Sequence, residues 1–376
     1  MDVTSVDEVL MCADPREWRV GDSWLAGGTV IYSYGTDITR GAPRRLLDIT
    51  GAGWQPLTWH RDADGALSLE IASTCRIADL RALADDPTPG GVMRAELPGL
   101  DLIPPVCDSF VASWKIWHVS TVGGNVATAL PAGPMISLLT AWDATALILR
   151  PDGRRRRARV ADLVVGPAKT RLGYGELIRS FLVPAESLRQ QAAFRRISLT
   201  ERGRSAALLI GRRTSEQSLR LSVTASVFRP VMLDIAADDL SAGIPPIPAA
   251  DAPLDIPPIP IADAPPARRR PTVATSAGWG VGGQVGRRRG ESAVRGESVA
   301  RGSRAVRADA AAWRTAIDVA AGRWYDDIHG EPEWRRRMTH RLGDEILAEL
   351  LPGVATGVDD AVGRVTGDLR MERTTA

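Results

Sequence analysis

The sequence predicts a mixed α/β protein, and three observations predict it. Over the first 240 residues, segments with strand periodicity alternate with segments of helical periodicity. One strand-like segment near residue 25 runs directly into a Gly-Gly turn, and a second Gly-Gly turn near residue 123 leads to a helix. Helical periodicity returns after residue 310. This interleaving is typical of sheets covered by helices.

Six strands are predicted over the first 240 residues. In chain order they are Trp24–Ala26, Arg45–Asp48, Ser68–Ile71, Ala146–Leu149, Leu177–Val183 and Leu219–Phe228. The last is the clearest, because Leu219, Leu221 and Val223 alternate with polar residues. Alternation with a period of two is the pattern of a strand with one face in a core.

Four helices are predicted from apolar spacing. Two are Arg76–Ala84 and Met135–Trp142. A third follows Ala310, where Trp313, Ile317 and Ala320 have helical spacing, and the fourth runs from about Glu333 to Leu351. On the fourth helix one apolar face is formed by Met338, Leu342, Ile346, Leu347 and Leu350.

Composition limits the class of protein. The chain has 376 residues, of which 44% are hydrophobic and 24% charged, as expected for two or three globular domains. No apolar run is long enough to span a membrane, and the first 24 residues do not resemble a secretory signal. Cys12, Cys75 and Cys107 are too far apart for a zinc or iron–sulfur site. We therefore expect no metal site and a cytoplasmic location.

A biased segment separates two globular parts. Ten of the 26 prolines lie between Pro245 and Pro271, and the motif that begins at Ile244 returns at Ile256. A Gly/Arg-rich run follows, and between Ala267 and Ala308 there are ten arginines and two glutamates. Such sequence buries too little apolar surface to offset its ordering entropy. We expect 244–308 to be a disordered insertion and 355–376 to be a tail.

The two glycine turns are the candidate ligand-binding elements. The first, Trp24–Ile31, contains Gly27, Gly28 and Thr29; the second, Ser120–Val126, contains Gly123 and Gly124. Glycine lets backbone N–H groups converge on an anion. Either turn alone is more often only a tight turn, and neither fits the Rossmann pattern. Brought together, they could hold both phosphates of a dinucleotide.

Five collinear segments resemble one family, the FAD-binding (medium) subunits of molybdenum hydroxylases, which include xanthine dehydrogenase, aldehyde oxidase and CO dehydrogenase. The segments are Leu25–Thr29, Ile71–Leu80, Ser120–Gly133, Ala193–Ser198 and Trp324–His329. The block Thr121–Asn125 is the most specific. The resemblance implies a two-lobed FAD-binding domain of the PCMH/CO dehydrogenase flavoprotein type over 1–184. It also implies a small C-terminal α+β domain over 185–243 and 309–354.

The resemblance also implies the site. The residues that match cofactor contacts are Leu25, Ala26, Gly27, Gly28, Thr29, Val30, Ile31, Thr121, Gly123, Gly124, Asn125, Ile178 and Arg195, with Arg196 as the alternative to Arg195. No catalytic acid–base pair is implied. Pro134 stands where the family often has an aspartate that contacts FAD, so one hydrogen bond to the cofactor is missing.

The implied function is electron transfer. FAD would relay electrons from [2Fe–2S] clusters on a small partner subunit, beside a large molybdopterin subunit, to NAD⁺, a quinone or oxygen. One alternative is a stand-alone FAD-dependent oxidoreductase of the same superfamily. Another is an RNA-binding or acidic-partner-binding role for the Arg/Gly run, although that run has only Trp279 as an aromatic residue. Two roles are open for His118, that of an ordinary loop histidine and that of a neighbour of the flavin. For His329 the two roles are a metal ligand and a residue at the entry to a helix.

Overall fold

The computed structural model describes residues 5–34, 43–61, 63, 65–236, 305–307 and 310–352. The strands within these residues are β1 Glu8–Met11, β2 Asp22–Leu25, β3 Arg45–Asp48, β4 Leu57–Arg61, β5 Leu67–Ala72, β6 Thr145–Leu149, β7 Arg155–Arg159, β8 Val164–Gly166, β9 Lys169–Thr170, β10 Leu177–Pro184, β11 Ala192–Ile197, β12 Ala207–Ser215, β13 Ser218–Thr224, β14 Val231–Ala236 and β15 Ala305–Arg307. The α-helices are α1 Ile31–Tyr34, α2 Ile77–Ala82, α3 Ile103–Asp108, α4 Trp114–Trp117, α5 Val122–Thr128, α6 Pro134–Ala141, α7 Val160–Leu163, α8 Ala185–Arg189, α9 Ala310–Ala321 and α10 Pro332–Leu350. Six short 3₁₀ helices complete the described elements: Pro15–Glu17, Thr50–Ala52, Leu83–Asp85, Pro89–Gly91, Arg94–Glu96 and Pro98–Leu102.

Three larger sheets carry the fold. The first is parallel, with strand order β1-β3-β2. The second is antiparallel, with order β4-β5-β10-β6-β7. The third has order β11-β12-β13-β14-β15, and its last pair is parallel. Strands β8 and β9 form a small separate pair. The predicted α/β fold class is confirmed.

The larger core lies between the second sheet and the helices that cover one of its faces. Leu69 and Ile71 of β5 pack there with Phe181 of β10 and with Leu138 and Leu139 of α6. Alternate residues of the same strands face away from this core, as the period of two requires. One face of the second sheet therefore carries the core and the other is left for polar residues.

Helix α6 joins this core to the third sheet. Every one of its residues is buried, and its Ser137 hydroxyl lies 2.6 Å from the Thr224 hydroxyl on β13. The alternation of β13 predicts one face in a core, and Leu221 and Val223 do pack in the C-terminal core. Its other face is buried too, because Ser222 and Thr224 donate hydrogen bonds to carbonyls of β12 beneath α6.

The C-terminal core lies on the opposite face of the third sheet. Trp313 and Ile317 of α9 and Ile346 of α10 are fully buried there, as their spacing predicts. Gly343 of α10 makes room for the indole of Trp313, since a Cβ at this glycine would lie 2.1 Å from the ring. The observed α10 begins and ends one residue before the prediction.

The predicted insertion and tail fall mostly outside the described residues. Only 305–307 of the insertion belongs to the described part, and there β15 pairs with β14. The ordered sheet therefore resumes before residue 308, which the sequence did not indicate. In the described ranges, no helix combines the length and the apolar character that crossing a membrane requires.

The three cysteines differ in accessibility. Cys75 and Cys107 are fully buried, and Cys12 is half-buried. Burial raises the pKa of the Cys107 thiol to about 12 and raises that of Cys75 further.

Because the thiolate is the reacting form, we expect one thiol of the folded protein to react rapidly with Ellman's reagent at pH 8 and all three after unfolding. A Cys12→Ser variant is the control and should lose the rapid phase; two rapid equivalents in the native protein would contradict this prediction.

Candidate cofactor-binding site

The two glycine turns lie against each other, although about 90 residues separate them in the chain. The hydroxyl oxygens of Thr29 and Ser120 are 3.1 Å apart. A Cβ at Gly27 would lie 1.8 Å from the carbonyl oxygen of Val119, so only glycine permits this approach of the two backbones. The predicted juxtaposition of the two turns is therefore observed.

The first turn presents free backbone donors. Leu25 ends β2 and is buried, whereas residues 26–31 are half-buried. Gly28 has a φ of +69°, which favours glycine. In the described part of the chain, the N–H groups of Gly27, Gly28 and Thr29 have no hydrogen-bond acceptor. Converging free N–H groups are the feature that binds a phosphate group.

The second turn is arranged differently. The N–H of Gly123 donates to the Ser73 carbonyl at 2.9 Å, and the N–H of Gly124 donates to the Thr121 hydroxyl at 3.0 Å. The side-chain oxygen of Asn125 accepts a bond from the N–H of Met135 at the start of α6. Backbone donors in this turn are thus already used, and the groups left for a ligand are the Thr121 hydroxyl proton and the Asn125 amide NH₂.

Two residues that the sequence argument did not single out shape this contact. Ser120 bonds to the first turn, and Ser73 packs so tightly on Gly123 that a Cβ there would lie 2.3 Å from the Cβ of Ser73. The Ser73 hydroxyl is buried and has no hydrogen-bond partner among the described residues. Both serines lie inside segments that resemble the family, so the resemblance could have pointed to them.

Free N–H groups, close-packed glycines and an unpaired buried hydroxyl together fit a dinucleotide. The free amides suit the negative charge of a pyrophosphate. The Ser73 hydroxyl, against Gly123 of the second turn, is a buried polar group without a partner among the described residues. Pro134 occupies the first position of α6, where its missing N–H costs nothing. It provides no carboxylate; that one hydrogen bond to FAD is therefore missing, as the resemblance implies, stays a prediction.

The remaining predicted residues do not belong to the two turns. Ile178 is buried in the core of the second sheet. Arg195, on β11, forms ion pairs with Glu345 at 3.1 Å and Glu349 at 2.6 Å on α10. Arg196 donates to the hydroxyl of Ser205. Both arginines are thus engaged within the C-terminal part, and their roles toward a cofactor stay predictions.

The two open histidines have ordinary surroundings. His118 is exposed, with its ring edge-on to Trp114 at 5.5 Å. The N–H of His329 donates to Asp327 in the turn that precedes α10. No group of three or more His, Cys, Asp or Glu side chains in the described ranges is placed to hold a metal ion.

Comparisons with known proteins concern the fold and one part of the chain. Residues 57–186 match the family model described as the FAD binding domain in molybdopterin dehydrogenase. The match confirms the predicted resemblance over that part of the chain and indicates FAD as the cofactor. A search of curated proteins finds no match for this sequence.

One solved structure shows the same fold over nearly the whole chain. Quinoline 2-oxidoreductase from Pseudomonas putida 86 is similar with a TM-score of 0.58 and 15% identity, over 94% of this chain and 99% of that one. The carbon monoxide dehydrogenase from Hydrogenophaga pseudoflava aligns with a TM-score of 0.49 and 17% identity, over 60% and 77% of the two chains. At such identities the likeness concerns the fold alone.

Proposed function

We propose that this chain, whose residues 57–186 match the family model of the FAD binding domain in molybdopterin dehydrogenase, is the electron-transfer subunit of a cytoplasmic molybdenum hydroxylase. The observation that carries the proposal is the contact between the two glycine turns, where the N–H groups of Gly27, Gly28 and Thr29 have no acceptor among the described residues. In the proposal, electrons enter from [2Fe–2S] clusters on one partner and leave to NAD⁺, a quinone or oxygen. A large molybdopterin partner carries out the hydroxylation.

The residues of this chain have binding and positioning roles. The free N–H groups of the first turn would hold the pyrophosphate, and Thr121 and Asn125 would add side-chain donors from the second turn. Bound FAD would supply the redox chemistry, accepting and passing on electrons. The cap that Thr121 forms on the Gly124 N–H fixes the start of α5, and the bond from Met135 to Asn125 fixes the start of α6. These bonds keep the second turn rigid before the cofactor binds.

The cofactor and metal content of the purified protein tests the proposal. The full chain, tagged at its own chromosomal locus, is purified from its native host, and FAD, iron and molybdenum are measured per mole of chain. One FAD accompanied by stoichiometric iron and molybdenum is the expected result.

The other outcomes separate the alternatives. FAD without iron or molybdenum would overturn the subunit assignment and favour the stand-alone oxidoreductase. Absence of flavin from every preparation would overturn both. The substrate of the complex does not enter this test, since the proposal locates that pocket on another chain.

A further inference from the structure

A groove of about 310 Å³ lies on the polar face of the second sheet. The strand alternation that points Leu69 and Phe181 into the core points their neighbours Ser68, Ser180 and Leu182 to the opposite side. This sheet-face groove is thus built from regular strands, and its volume is at the lower end of the range for small-molecule sites, ~300–1,000 Å³.

The floor of the sheet-face groove is apolar and its sides are polar. Leu147 and Leu182 form the floor and are half-buried. Ser68 and Thr145 add hydroxyl groups around them. A site of this composition accommodates a ligand that combines an apolar body with a polar end.

One end of the groove has its charges balanced. Glu70 accepts a hydrogen bond from His60 at 2.8 Å, and Arg179 lies 3.8 Å away. Burial raises the pKa of Glu70, but hydrogen bonds from Ser180 and His60 together with the charge of Arg179 hold it below the ordinary value. Glu70 is therefore ionised at neutral pH and already neutralised by its neighbours.

The other end has an unbalanced positive charge. Arg157, on the edge strand β7, lines the groove and is exposed. Within the described ranges it forms no ion pair and no side-chain hydrogen bond, unlike its neighbours Arg156 and Arg159. Since strands are ~4.8 Å apart and β7 lies three strands from β5, the two ends are ~14 Å apart. The Glu70 end thus does not neutralise Arg157.

We propose that the sheet-face groove binds a small organic carboxylate, with the carboxylate on Arg157 and the apolar body over Leu147 and Leu182. A guanidinium offers two parallel N–H donors that match a carboxylate. The hydroxyl of Thr145 lies along the same side for further polar groups. The groove is separate from the glycine turns in its residues, so this inference does not depend on the proposed function.

The probe for the experiment is 2-naphthoate, with the neutral 2-naphthamide as its matched analogue. Binding to the purified full chain with saturating FAD is measured by isothermal titration calorimetry, while the flavin spectrum reports any displacement of the cofactor. Saturable binding of the naphthoate, with the amide at least tenfold weaker, is expected. Arg157→Gln should weaken naphthoate binding at least tenfold as well.

Arg154→Gln is the control, because Arg154 is in the same hairpin, is exposed and does not line the groove. It should leave naphthoate binding unchanged. No saturable binding, equal binding of the amide, or equal binding by Arg157→Gln would overturn the proposal. Displacement of FAD by the probe would overturn it too, since the cofactor site would then be the one occupied. Loss of probe binding in a purified complex would instead identify the groove as a subunit interface and so overturn it.

Discussion

A Gly27→Ala substitution is expected to weaken FAD binding at least tenfold while the sheets stay folded. The added Cβ would lie 1.8 Å from the Val119 carbonyl oxygen and 2.7 Å from its carbonyl carbon. These are backbone atoms, so the clash is relieved only by separating the two turns. Overpacking of this kind costs ~1–3 kcal/mol, and each 1.4 kcal/mol is roughly a factor of ten in an equilibrium constant. The dissociation constant of FAD is measured by titrating the flavin-free full chain.

Gly173→Ala is the matched control. A Cβ at Gly173 would meet its nearest neighbour, Glu176, at 3.4 Å, which is ordinary contact. Its FAD affinity and circular dichroism should equal those of the wild type. Unchanged FAD affinity in Gly27→Ala would show that the contact between the turns does not form the cofactor site. A second variant, Gly123→Ala, tests the same idea from the other side, because its Cβ would lie 2.3 Å from that of Ser73.

The sequence predicted the elements better than their contacts. Strand β3 has the predicted bounds, and α6 begins and ends one residue earlier than predicted. These elements are encoded locally, by apolar periodicity and by the proline and glycines that precede α6. The three-residue strand β15 was missed because it is stabilised by pairing with β14, about 70 residues away, and its own sequence has no strand pattern.

At the candidate site, too, local features could be predicted from the sequence and long-range contacts could not. The glycines of the first turn were readable, since they follow a strand. Gly123 and Gly124, in contrast, lie in the first turn of α5, a helix that was not predicted. Among the described residues, the N–H groups of Gly27, Gly28 and Thr29 lack acceptors, whereas that of Gly123 is bonded to the carbonyl of Ser73. This difference could not be predicted, because Ser73 lies 50 residues before Gly123 in the chain. The ion pairs of Arg195 with α10 likewise join residues 150 or more apart. Such long-range pairs depend on the packing of whole elements.

Asp143→Asn is expected to lower the free energy of unfolding by about 3 kcal/mol, the typical cost of leaving a buried charge without its partner. Asp143 lies just after α6 and accepts bonds from Arg212, from Arg220 at 2.8 Å and from Arg159 at 3.3 Å. The side chain of Arg212 is only 2% exposed. Burial lowers the pKa of Arg212, which shows how unfavourable its charge is in this environment. Equilibrium unfolding in urea measures the difference.

The substitution isolates the charge, because asparagine has nearly the same shape and tolerates the φ of +54° at this position. Asp152→Asn is the control: its ion pair with Arg150 joins side chains that are 41% and 39% exposed, and such pairs contribute about 0–1 kcal/mol.

Adding Arg212→Met to Asp143→Asn should restore part of the stability, since it removes the charge left unpaired. A difference below about 1 kcal/mol for Asp143→Asn, or no recovery in the double variant, would mean that solvent and the side-chain oxygen of Gln190, which accepts a hydrogen bond from Arg212, already satisfy the guanidinium. In that case the junction between α6 and the third sheet would be held by apolar packing and the hydroxyl contact between Ser137 and Thr224, without help from Asp143.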